Sequence, residues 1–396
     1  MKILYVTELW SGLEDLIING ELVSSGMPAF LQPLEYMVKD EKIDVDFIII
    51  GKKPKKLNIY APWLKRSKFY WVHNRSFLKI FTINKLIKQG NYDFVYGQGE
   101  GGAWANLPAL LNRVPFGMRY YGTFLSRYLD DNWFRFVLRN PLASLGYNLP
   151  KKFMLTTNDG TKGDEVYKKL CFFKNFYRFK FWLNGVNKEK SVLPEEKVLE
   201  FLKSIGVTSQ TNLIVYPARY DRWKRQHKAL EILDKLSHKQ KSNIKLLFCG
   251  HIYDESYYHE LKQMAINLQL EEYVIFNEAI PNDLLQGVFK KSFMVMSLYE
   301  LSNLGNVVIE ASINGSIILT IDDKSTEFLI KNYQTGFAIK DNDKFIPNAV
   351  KVIQDLISDT LLKRKIESKM KQHSEDKFLT WKERSELEVA LIKKYI

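Results

Sequence analysis

Two cations and one carboxylate stand out by where they fall. Arg219 and Lys224 follow the strand-like run Leu213-Ile214-Val215-Tyr216, in a loop that leads into a helix. Cations at the carboxyl end of a strand occupy the ligand-binding edge of an open α/β sheet, and a pair of them suits a diphosphate. The carboxylate is Glu310, the one acid on an apolar helix reading Val-Val-Ile-Glu-Ala. Ahead of it lie a strand-like run, 293–298, and the polar turn Ser302-Asn303-Leu304-Gly305-Asn306. Unbonded N–H groups where such a turn enters a helix can hold a phosphate. Glu310 lies one turn further in, on the face of Asn306 and Val307, and a carboxylate accepts hydrogen bonds from a ribose diol. The plainer alternatives are an acid that reaches solvent and a basic loop in a basic chain.

The elements that must position these residues alternate almost throughout. Strand-like runs fall at 3–6, 45–50, 94–96, 117–121, 153–156 and 179–183. A second set falls at 213–216, 244–249, 274–277, 293–298, 317–321 and 336–339. Helical patterns between them argue for two Rossmann-like parallel sheets. Arg219, Gly250, Glu278, Ser302 and Asp322 each follow a strand of the second set, so they share one sheet edge. The chain of 396 residues suits two domains. We expect domains at 1–187 and 188–374, with a closing helix in 375–396.

The net charge of +13 is uneven, because residues 1–190 carry most of the basic excess. From Gly51 to Tyr92 there are basic residues and no acidic ones, interleaved with Tyr60, Trp63, Phe69, Tyr70, Trp71, Phe77 and Phe81. Such a surface attracts anionic lipid; the alternative is a solvated basic face over core aromatics. No RNA- or DNA-binding module is recognisable, so a nucleic-acid partner is not expected. The two cysteines, Cys171 and Cys249, have no metal spacing and fit a reducing compartment. No apolar run approaches the roughly 20 residues of a membrane span. A cytoplasmic protein is therefore expected, with the inner face of the cell membrane as a peripheral site.

Together these segments resemble the retaining glycosyltransferases of family 4, which have the GT-B fold. Arg219 and Lys224 match that family's arginine and lysine, with Arg225 where a glycine follows the lysine. Glu310-Ala311 matches the second glutamate of its Glu-x7-Glu motif, and Gly305 the second glycine of the loop. Ser302 stands in place of the first glutamate, and Asn303 and Leu304 replace glycine and phenylalanine. Tyr96-Gly97-Gln98-Gly99-Glu100 and Ser24-Ser25-Gly26 match stretches that line the acceptor cleft. Tyr121 stands where a histidine usually precedes Gly122. Leu183-Asn184-Gly185-Val186-Asn187 matches a signature before the inter-domain connection, and Phe378–Arg384 the entry to a final helix.

The resemblance implies two Rossmann-like domains facing a central cleft, with a C-terminal helix crossing back to the first. It implies transfer of a sugar from a UDP- or GDP-sugar to a hydroxyl acceptor, with retention, in cell-surface polysaccharide or lipid-linked glycan synthesis. Arg219, Lys224, Glu310, Ser302 and Tyr121 would be catalytic. Gly250, Glu278, Asn303, Leu304, Gly305 and Asn306 would join Arg219, Lys224 and Glu310 around the donor, and Gly26, Glu100 and Tyr121 would line the acceptor cleft. No metal or cofactor is expected, the nucleotide-sugar being a substrate. The acceptor would be a glycan or lipid-linked glycan. Ser302 and Tyr121 depart from the family pattern, so a non-catalytic binding subunit is the alternative, followed by a basic nucleic-acid-binding protein. A dinucleotide-dependent oxidoreductase would need a tight G-x-G-x-x-G, which the glycines at 97–102 reproduce poorly.

Overall fold

The structure is a computed structural model. It describes residues 1–396 apart from 10, 20–28, 60, 75–77, 121–124, 131, 159–161, 173–176 and 189–192. The chain divides into two compact units, Met1–Gly185 with Leu379–Ile396, and Val186–Phe378. The boundaries expected from sequence were 187 and 374.

The amino-terminal unit is built on seven strands: β1 Lys2–Glu8, β2 Asp44–Ile50, β3 Phe69–Val72, β4 Phe94–Gln98, β5 Phe116–Arg119, β6 Phe153–Thr156 and β7 Arg178–Phe181. They lie in the order β3-β2-β1-β4-β5-β6-β7, every neighbour parallel. A parallel sheet is covered on both faces, which is why β1 is apolar almost end to end. Ile3 and Tyr5 enter one core; Leu4 and Val6 enter the other. The first core also takes Val389, Leu391 and Ile392 from the Trp381–Lys393 helix, so that helix belongs to this unit's interior.

The same helix brings a charge into the core. Glu388 is 1% exposed. Its Oε1 accepts from the Tyr96 hydroxyl at 2.6 Å. Its Oε2 lies 3.3 Å from Arg119 Nη1 and 3.0 Å from Arg384 Nη1. Arg384 Nε donates to the Leu183 carbonyl at 2.9 Å. Burial alone would raise the Glu388 carboxyl, but the two guanidiniums outweigh it and hold the group below its ordinary value.

Strand β3 was not expected. It lies within the basic, aromatic-rich stretch, and as a four-residue edge strand it is only half buried, so it shows little apolar pattern. Trp63, Phe69 and Trp71 pack against the first core and Tyr70 against the second, rather than forming an exposed face. Arg66 donates to the carbonyls of Val38, Asp40 and Ile43, in the last turn of the Leu31–Lys39 helix and just beyond it. Lys79 is buried with its ammonium 3.9 Å from the Trp104 ring. Lys52, Lys53, Lys55, Lys56 and Lys65 remain exposed. Tyr60 and Phe77 lie outside the described residues.

The carboxy-terminal unit holds β8 Asn212–Pro217, β9 Ile244–Cys249, β10 Val274–Asn277, β11 Met294–Ser297, β12 Ile318–Ile321 and β13 Phe337–Ile339. Their order is β10-β9-β8-β11-β12-β13, all parallel. The order reverses between β8 and β11, and a doubly wound sheet opens its ligand crevice at that point, beyond the carboxyl ends. Among the described residues, no helix is long and apolar enough to cross a membrane.

Candidate active site

The loop after β8 carries both expected cations. Arg219 Nη2 pairs with Asp221 Oδ2 at 2.9 Å, and the same oxygen accepts from Trp223 Nε1 at 2.7 Å. The guanidinium lies 4.4 Å from the Tyr253 ring and 5.7 Å from that of Trp223. Its Nε is enclosed without a hydrogen-bond partner. The Lys224 ammonium stands 3.7 Å from the Trp223 ring and 3.5 Å from the Tyr299 ring. Aromatic faces attract a cation through their ring quadrupoles, and the two rings place Lys224 beside the switch point.

The loop is pinned at several places. Tyr216 donates its hydroxyl hydrogen to the Lys224 carbonyl and accepts from Leu298 N at 3.1 Å, tying the β8 loop to the β11 loop. Gln226 is fully buried and donates through Nε2 to the Arg219 carbonyl at 2.9 Å. Gly250 is a close-approach position, but toward the protein itself: a Cβ there would meet the Ala218 carbonyl oxygen at 2.2 Å. The missing side chain lets the β9 end lie on the Ala218–Arg219 peptide. Glu278 is exposed after β10.

The loop after β11 differs from the sequence expectation in its chemistry. Asn303 is fully buried. Its Oδ1 accepts from Tyr299 N at 2.8 Å, and its Nδ2 donates to the Tyr299 carbonyl at 3.1 Å. The Asn303 N–H goes to Asp323 Oδ2 at 2.7 Å. The Leu304 N–H goes to Ser325 Oγ at 3.1 Å, with Ser302 Oγ at 3.3 Å. The Gly305 N–H goes to the Asn303 carbonyl at 3.0 Å. The backbone donors of 303–305, expected to face a phosphate, are thus consumed inside the loop, because the β12 loop supplies acceptors for two of them. Ser302, expected to be catalytic, is buried and braces the same turn. Asn306 opens the Asn306–Ile313 helix, with Gly305 as its cap residue.

Glu310 lies on that helix, half buried. Asn282 Nδ2 and Gln286 Nε2 donate to its Oε2 at 3.1 and 2.8 Å. Desolvation raises its carboxyl above the ordinary value, and the two amides offset this only in part. Asn282 and Gln286, with Trp223 and Tyr299, are residues the sequence reading missed. Their only signal was a polar pair at i and i+4 on the Asn282–Lys291 helix, Trp223 next to Lys224, and Tyr299 directly after the strand-like run before the 302–306 turn.

In the amino-terminal unit, Glu100 follows β4 at the carboxyl edge of the sheet. Desolvation raises its carboxyl, and desolvation followed by the charge of Glu100 raises that of Glu8 at the end of β1. Gly26 and Tyr121 lie outside the described residues.

Residues 199–374 match the family model of glycosyl transferases, group 1. The match lies within the carboxy-terminal unit, and the two sheets have the GT-B type of fold. HepE of Anabaena, solved in complex with UDP and glucose, is 14% identical, with all of both chains covered and a TM-score of 0.73. A glycosyltransferase from Rickettsia africae is 17% identical, covering 100% of this chain and 98% of its own, with a TM-score of 0.70. Sucrose-phosphate synthase from Thermosynechococcus elongatus is 12% identical, covering 100% and 99%, with a TM-score of 0.73. At these identities the likeness is one of fold. No curated protein sequence matches the chain.

Proposed function

We propose that this protein is a nucleotide-sugar-dependent glycosyltransferase that moves a sugar from a UDP- or GDP-sugar to a hydroxyl acceptor with retention. The observation that carries the reading is the pair Arg219 and Lys224, held beside aromatic rings after β8, where the strand order reverses. The leaving group of such a reaction is a nucleoside diphosphate, whose charge grows as the glycosidic bond breaks. Two preorganised cations lower that barrier electrostatically without a metal. Asp221 keeps the Arg219 fork oriented in the meantime. Glu310 would receive the ribose diol on Oε1, since its two amide partners both occupy Oε2.

The acceptor in this reading is a glycan or lipid-linked glycan met at an anionic membrane surface. Exposed Lys52, Lys53, Lys55, Lys56 and Lys65 support it. So does the Trp133–Arg139 helix, which exposes Trp133, Phe134 and Leu138 beside Arg135 and Arg139. The second reading is a donor-binding subunit without turnover; the bracing role of Ser302 at the motif's first glutamate position favours it.

A nucleotide screen tests the proposal. A bound nucleoside diphosphate at about 100 times its Kd adds about 2.7 kcal/mol of stability. UDP or GDP should raise the melting temperature, and the matching sugar nucleotide should be consumed slowly in water. Stabilisation without any consumption selects the subunit reading. No stabilisation by any nucleotide would sink both.

A further inference from the structure

At the opposite edge of the amino-terminal sheet, where β5, β6 and β7 begin, lies a cavity of about 450 Å³. Its wall carries three basic side chains, Lys151, Lys152 and Arg178, and no acid among the described residues. Neither Lys152 nor Arg178 has a carboxylate partner among the described residues, and both are exposed at the rim. Leu110, Val114, Phe116 and Pro150 supply an apolar floor.

Two further wall residues each hold an enclosed polar group with no bond, one an amide donor and one a hydroxyl that can donate or accept. Asn106 is 1% exposed, and its Nδ2 has no hydrogen-bond partner. The Tyr395 hydroxyl is likewise enclosed and unpartnered. A buried polar group left unbonded costs about 1–3 kcal/mol, so two of them at one cavity point to an absent partner. Lys151 adds to the imbalance. It is buried, its ammonium lies 3.8 Å from the Tyr177 ring, and it donates to the carbonyls of Tyr147 and Leu149. Desolvation nevertheless pushes it down to about 7. A counter-charge is what that position lacks.

We propose that this cavity is a second ligand site, at the sheet edge remote from the one expected to face the acceptor. It takes a small amphiphilic anion: a phosphate monoester or carboxylate carried on an apolar body. The anionic head would meet Lys152, Arg178 and the two unbonded groups, and the body would lie on Leu110, Val114 and Phe116. The basic wall disfavours cations. The site does not depend on the transferase reading, because none of its residues comes from the carboxy-terminal unit.

Calorimetric titration of the full chain with phenyl phosphate, benzoate and inorganic phosphate tests it, with the donor site first saturated by the nucleoside diphosphate that stabilises the protein best. Phenyl phosphate or benzoate should bind at one site, more tightly than inorganic phosphate, and whichever binds identifies the head group. K152A/R178A should weaken binding about tenfold or more, equivalent to about 1.4 kcal/mol, with the melting temperature unchanged. Tyr395→Phe should weaken it several-fold while leaving the fold intact, because its hydroxyl has no partner to lose. Absence of binding by both aromatic anions at millimolar concentration, or equal binding by the double variant, would overturn the proposal.

Discussion

Arg225 stands in the left-handed backbone region, at φ 56°, and forks onto Asp341, with Nη1–Oδ2 at 2.7 Å and Nη2–Oδ1 at 3.3 Å. Lys228 reaches the same carboxylate at 3.0 Å. Burial would raise the Asp341 carboxyl, but these two partners outweigh it and hold it below its ordinary value. The family pattern has glycine at this position, and glycine adopts positive φ without a steric cost. Here an ion pair to a loop 116 residues away accompanies the strained backbone.

Substitutions at Arg225 separate the two effects. Arg225→Gly should be close to neutral in stability, since strain worth about 1 kcal/mol is relieved as the fork is lost. Arg225→Ala loses the fork and keeps the strain, so it should destabilise by about 1 kcal/mol. Urea unfolding compares them; equal losses would show that the backbone is unstrained.

Glu310→Gln should stabilise the unliganded protein and weaken nucleotide binding. The native carboxyl is raised, so above that raised value a desolvated charge opposes folding. As pH falls from there toward the ordinary carboxylate range, the native state takes up its proton first and the penalty disappears. The gain in melting temperature should therefore be largest at pH 7–8 and shrink toward pH about 4.5. Melting curves across that range check it, and a variant with unchanged nucleotide affinity would remove Glu310 from the donor site.

Arg219→Ala and Lys224→Ala should each slow turnover by the equivalent of about 2–4 kcal/mol, with the double variant less than additive. Affinity for the nucleoside diphosphate should fall while that for the bare nucleoside holds. Equal loss for both ligands would place these side chains away from the diphosphate.

Glu388→Gln should cost about 3–5 kcal/mol, because it leaves Arg119 and Arg384 buried without a counter-charge. The native carboxyl is depressed, so its contribution is present above the ordinary carboxylate range and is lost as pH falls through the lower native value. Acid unfolding followed by circular dichroism should show that component in the wild type and not in the variant.

Liposome flotation tests the membrane surface. Changing Lys52, Lys53, Lys55, Lys56 and Lys65 to glutamine should release the protein from anionic vesicles, at about 1 kcal/mol per lysine near the surface. W133S/F134S should reduce recovery at high salt, where screening leaves apolar contact as the main attraction. Equal recovery of every variant with neutral and anionic vesicles would leave a soluble acceptor.

The sequence by itself determined the two doubly wound sheets, the placing of Arg219 and Lys224 after a strand end, and that of Glu310 one turn into a helix. Apolar runs and helix periods are local, and a strand buried on both faces announces itself in a few residues. It missed β3 because an edge strand of four half-buried residues has no such pattern. Tertiary structure decided how each loop satisfies its own polar groups. Asp323 and Ser325 take the N–H groups of Asn303 and Leu304 from 20 and 21 positions away, and Tyr216 bonds Leu298 across 82. A hydrogen bond is chosen by what folding brings within about 3 Å, and spacing along the chain carries no record of that choice.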